Sequence, residues 1–98
     1  MTYMVTLSSD AVADIEKLKK TPHLEKRFKA VSKALLFLAS NPKHPGLQTH
    51  GFSSLKGPQG QKVFEAYAEQ NTPGAYRIFF YYGKTKWQII IMAVTPHP

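Results

Sequence analysis

The sequence predicts one α+β domain of order β-α-α-β-β-β, with an N-terminal helical hairpin packed on one face of an antiparallel sheet. Three observations carry that prediction. Residues 9–40 hold two apolar stripes at helical spacing, separated by Thr21-Pro22. Residues 75–98, AYRIFFYYGKTKWQIIIMAVTPHP, hold two runs rich in β-branched and aromatic residues, joined by a polar turn. A length of 98 residues suffices for a single core but not for two, so residues 1–98 form one domain.

The first strand is Tyr3–Leu7, where Tyr3, Val5 and Leu7 share one face. Ser8, Ser9 and Asp10 offer N-caps for a helix that runs to about Lys20. Its acidic residues lie toward its start and Lys17, Lys19 and Lys20 at its end, the order the helix dipole favours. Thr21 is expected to cap the next helix with Pro22 in its first turn. That helix reaches about Ser40, carrying Leu24, Phe28, Val31, Leu35 and Leu38 on one stripe. Residues 41–61, NPKHPGLQTHGFSSLKGPQGQ, read as a long loop. Lys62–Gln70 reads as a strand, with Phe64, Ala66 and Ala68 opposite Val63, Glu65, Tyr67 and Glu69. The closing hairpin is Tyr76–Tyr82 and Trp87–Val94, turning at Gly83-Lys84-Thr85-Lys86.

Composition excludes several classes. With no cysteine there is no disulfide framework and no thiolate metal site. The N-terminal residues lack the pattern of a signal peptide, and no apolar run approaches the length of a membrane span, so a cytoplasmic location is expected. A net charge of +7 suits an acidic or polyanionic partner. Seven of the thirteen basic residues fall between Lys17 and Lys33, where most face water from the helices. His44 and His50, six apart in the loop without a nearby Asp or Cys, are a weak metal signal and read as solvent-facing.

Arg77 is the unusual residue. It interrupts an apolar strand on the side of Phe79 and Tyr81, and a cation there needs an anionic partner or access to the sheet surface. Pairing with Glu65 or Glu69 on the adjacent strand would meet that need, and so would a bound phosphate.

The motifs LKG at 55–57, FEAY at 64–67, AYRIFFYY at 75–82 and IIIMAVTPHP at 89–98 resemble those of the RelE/ParE toxin superfamily of toxin–antitoxin systems. The resemblance covers nearly the whole chain in element order, with the motifs confined to about the last half. It implies the fold described above, and one of two activities. RelE-like members cut mRNA in the ribosome without a metal or small-molecule cofactor, whereas ParE-like members inhibit DNA gyrase.

Metal-independent RNA cleavage needs a base for the 2′-hydroxyl, an acid for the leaving 5′-oxygen and a cation on the phosphate. By resemblance Arg77 supplies the cation, and His97, past the last strand, stands where relatives carry a C-terminal catalytic side chain. Glu65 either serves as the base or neutralises Arg77. Lys56, Lys62 and Tyr81 are candidate RNA contacts, Tyr81 by stacking on a base. Many ribonuclease members have basic residues on the strand before the YR motif, where this chain has Glu65, Tyr67 and Glu69. The implied partners are a cognate antitoxin, mRNA and the ribosome. The alternative is a ParE-like gyrase inhibitor or a toxin-like protein that only binds.

Overall fold

The computed structural model describes residues 2–97. Its elements are β1 (Met4–Leu7), α1 (Ser9–Lys20), α2 (Glu25–Ser40), β2 (His50–Lys56), β3 (Lys62–Tyr67), β4 (Tyr76–Tyr82) and β5 (Gln88–Pro96), with a single 3-10 turn at Pro45–Leu47. The strands form one sheet in the order β1-β5-β4-β3-β2. All neighbours are antiparallel except β1, which runs parallel to β5. The α+β layout is the one predicted, with one strand more and one parallel edge.

The helical hairpin carries the chain from one edge of the sheet, β1, to the other, β2. Ser8 caps α1 by accepting from the Ala11 N–H at 3.1 Å. Thr21 does not cap α2 as expected. Its hydroxyl turns back to the Lys17 carbonyl at 2.6 Å and closes α1 instead. His23 then takes a left-handed backbone, φ 60°, and α2 begins at Glu25 behind an N-cap, Leu24, whose side chain makes no capping bond.

A bulge in β5 sets how the helices sit. Phe79 pairs with Ala93 and Phe80 with Ile91, which leaves Met92 as the extra residue. The backbone groups freed there are taken by α1: Asp14 Oδ2 accepts from Val94 N–H at 2.9 Å, and Ser8 Oγ donates to the Met92 carbonyl at 3.0 Å. The bulge also turns Val94 to the face of Ile89 and Ile91, so all three join Ala66, Ile78 and Phe80 beneath Leu18, Val31, Ala34 and Leu38.

The predicted loop contains a strand. β2 is an edge strand, mostly exposed, with its register to β3 shifted between Gly51 and Lys56. Edge exposure erases the apolar alternation by which strands are recognised, and Gly51, Ser53 and Ser54 add to the loop-like composition. β3 is shorter than expected, ending at Tyr67. No helix among the described residues is long and apolar enough to cross a membrane.

Candidate functional site

Pairing register builds the site. Tyr67 lies opposite Arg77, Glu65 opposite Phe79, and His50 opposite Glu65. Opposed residues project from the same face. This face is the one turned away from the helices, because Phe64, Ala66, Ile78 and Phe80 occupy the other.

Glu65 is the hub. Its side chain is 3% exposed, and each oxygen has a partner: Oε1 lies 2.8 Å from His50 Nε2, and Oε2 accepts from Arg77 Nη1 at 2.8 Å. His50 Nδ1 lies 2.9 Å from the Gln48 carbonyl oxygen. A carbonyl and an ionised carboxylate only accept, so the imidazole satisfies both when each ring nitrogen carries a hydrogen. Glu65 thus lies buried between two groups able to carry positive charge.

Arg77 is 19% exposed, and its guanidinium lies 4.8 Å from the centre of the Phe79 ring and 5.7 Å from that of Phe52. The two rings, 4.9 Å apart, hold it along β4. Its Nε is buried without a hydrogen-bond partner. Of the two carboxylates offered by the sequence, Glu65 takes Arg77, while Glu69 is held at 3.1 Å by Arg27 of α2.

Tyr67 stands between two histidines, its ring centre 5.7 Å from that of His50 and 6.3 Å from that of His97. Burial, the Glu65 charge and a hydrogen bond to Glu65 push its phenol above the usual tyrosine value, and Arg77 pulls in the opposite direction. The hydroxyl therefore keeps its proton and remains a donor at neutral pH. His97 extends the sheet by one residue, its backbone N–H donating to the Ala75 carbonyl at 2.8 Å. Its side chain borders an open hollow of about 490 Å³ shared with Gln48, Tyr67 and the turn from Glu69 to Ala75.

Glu65, Arg77 and His97 are therefore gathered in one region, and Lys56, Lys62 and Tyr81 are not part of it. Lys62 lies on the Phe64 side of β3, its Nζ 5.3 Å from the centre of that ring, and Lys56 pairs with it. Tyr81 shares the Arg77 face but stands four residues further along β4, roughly 13 Å away at strand rise. His50 and Tyr67 complete the cluster although the sequence did not mark them as site residues. Tyr67 was legible as a neighbour of Glu65 by alternation; His50 lay hidden in the unrecognised strand. His44 is structural, accepting from Gly46 N–H at 2.9 Å and stacking on Phe37 with ring centres 4.4 Å apart. Among the described residues no group of three or more His, Asp or Glu side chains is arranged to hold a metal ion.

No protein-family model matches the chain, and a search of curated proteins finds no match. Solved structures do match. The archaeal RelE–RelB complex from Pyrococcus horikoshii aligns with TM-score 0.65 and 18% identity, over 98% of this chain and 96% of that one. The YoeB/ParE toxin from Agrobacterium tumefaciens aligns with TM-score 0.63 and 10% identity, over 96% and 98%. The toxin–antitoxin complex RelBE2 from Mycobacterium tuberculosis aligns with TM-score 0.52 and 18% identity, over 99% and 100%. Matched end to end at identities this low, the chain has the fold of the RelE/ParE toxin superfamily.

Proposed function

We propose that this chain is the toxin of a toxin–antitoxin pair and acts as a metal-independent, ribosome-dependent mRNA endoribonuclease. The observation that carries the reading is the cluster on the sheet face turned away from the helices: a buried carboxylate, a guanidinium, a tyrosine held protonated and two imidazoles, beside an open hollow. That set contains the proton acceptor, proton donor and cation that cleavage by a 2′-hydroxyl requires.

In this reaction the 2′-oxygen attacks the adjacent phosphorus and the bond to the 5′-oxygen breaks, giving a 2′,3′-cyclic phosphate and a 5′-hydroxyl. Arg77 turns from Glu65 toward the entering phosphate, since a guanidinium forks onto phosphate as well as onto carboxylate. Glu65, released from that partner, takes the 2′-hydroxyl proton. His97 gives a proton to the leaving oxygen, and Tyr67 donates a hydrogen bond to the crowded phosphoryl group. Tyr81, with Lys56 and Lys62 beyond the cluster, would contact flanking RNA.

The partner reading is supported by the neighbours, two of which are described as toxin–antitoxin or RelE–RelB complexes. A net charge of +7 favours association with an acidic antitoxin. One observation favours a second reading, a gyrase inhibitor or other binding-only toxin: Arg77 and Arg27 are both already engaged by carboxylates.

Induction in cells, with transcripts mapped by primer extension, decides between them. Translation-dependent cuts are expected from the wild-type chain, and both Arg77→Ala and His97→Ala should abolish cutting and growth arrest. Arrested growth with intact transcripts, or arrest that survives His97→Ala, would refute the nuclease.

A further inference from the structure

His97 stands where the sheet gives out, and its placement depends on the turn beside it. Pro96 lies opposite Tyr76 but has no N–H to donate. The His97 N–H, donating to the Ala75 carbonyl at 2.8 Å, therefore ties this end of β5 to the chain entering β4. Ala75 closes the turn 69–75, its own N–H donating to the Thr72 carbonyl at 3.0 Å. Ala68 N–H still reaches the Tyr76 carbonyl at 3.0 Å, but within the turn Asn71 and Gly74 have left-handed backbones, φ 50° and 74°. The turn is thus not a continuation of the β3–β4 ladder, and what holds it must come from outside.

Arg27, in the first turn of α2, reaches it from the helix layer. Its Nη1 donates to the two Glu69 oxygens at 3.1 and 3.2 Å, and its Nη2 to the Pro73 carbonyl at 3.3 Å. One planar guanidinium therefore grips the turn at two points. The Arg27 and Glu69 side chains are 24% and 23% exposed, a setting in which an ion pair adds little to global stability. What the fork fixes is position.

We propose that Arg27 is a positioning residue for RNA cleavage: through Glu69 and Pro73 it sets the turn whose Ala75 carbonyl places His97. Arg27 itself touches no RNA. The proposal rests on the nuclease reading, in which His97 protonates the leaving oxygen, and a displacement of about 1 Å at such a group can cost about a hundredfold in rate. The placement of His97 is measurable without cleavage.

The first test is hydrogen exchange at backbone amides. In Arg27→Met the His97 amide should exchange at least tenfold faster, with the amides of Phe80 and Ile91 in the middle of the sheet unchanged. A His97 amide unprotected in the wild-type chain, or unaffected by Arg27→Met, would overturn the proposal. The second test measures cleavage on ribosomes programmed with a defined mRNA. The rate at saturating protein should fall about tenfold in Arg27→Met, with the half-saturating concentration within twofold of wild type. Glu69→Gln should also slow the reaction, and the double variant should be no slower than Arg27→Met, since both act through one contact. An unchanged rate would overturn the proposal. So would a loss confined to the half-saturating concentration, which would make Arg27 an RNA contact instead. Dependence of His97 exchange on Arg27 in a wild-type chain that cuts no mRNA would support the brace and overturn the nuclease alone.

Discussion

The Glu65–Arg77 pair permits a quantitative test of how the site is held together. Arg77→Met leaves a carboxylate that is 3% exposed with only His50 as its ionic partner. Removing one member of a buried pair typically costs about 3–5 kcal/mol. Because Arg77 is 19% exposed and His50 remains, the lower end applies, about 3 kcal/mol. Glu65→Gln keeps the shape and leaves the guanidinium between Phe52 and Phe79, a milder loss of about 2 kcal/mol for a charge-assisted bond. The double variant strands neither charge and should cost about 2 kcal/mol rather than the additive 5, a coupling near 3 kcal/mol. Urea unfolding of the four proteins at one pH measures it directly. Additivity to within about 0.5 kcal/mol would show that the two side chains do not depend on one another and would refute the hub.

Other outcomes follow from the same structure. Of the five tyrosines, Tyr67 and Tyr82 should ionise last in an ultraviolet titration, Tyr82 because burial and then Tyr3 push it up, and Tyr67→Phe should remove one late step. The sign for stability is fixed. Both phenols keep their protons in the fold at pH values where the unfolded chain has begun to lose them. Their contribution is therefore complete below pH about 10 and declines as pH rises toward the folded values. Gly83→Ala should destabilise by no more than about 1 kcal/mol in thermal or urea melts, because the added methyl would meet only the side-chain ends of Gln88 and Ile90, which can turn aside. A Lys56→Ala, Lys62→Ala double variant should keep the same cleavage sites while the salt dependence of RNA binding falls by about 1.4 in log–log slope, as for two phosphate contacts to a single strand. An unchanged slope would remove both lysines from the RNA path.

Much of the site was legible from pattern alone, and what was missed has definite causes. Alternation put Glu65 with Tyr67 in KVFEAY and Arg77 with Phe79 in YRIFFYY, and the register of the two strands brings both pairs to one face. Lys62, a candidate RNA contact, lies on the Phe64 side of β3, where the same alternation sends it. His50 escaped because its strand is an exposed edge, where burial imposes no period on the side chains. Thr21 misled because a hydroxyl beside a proline suits the end of one helix as well as the start of the next.

By itself the sequence determined the elements with strong periodicity, the alternation of side chains within each recognised strand, and a net charge suited to an anionic partner. These are properties of single segments, fixed by local sterics and by where apolar groups recur. Only the tertiary structure decided that Glu65 rather than Glu69 takes Arg77, that His50 closes the other side of the carboxylate, and that β1 lies parallel to β5. Each depends on register between strands distant in sequence, set by packing around the Met92 bulge and the edge of β2, and no single segment encodes it.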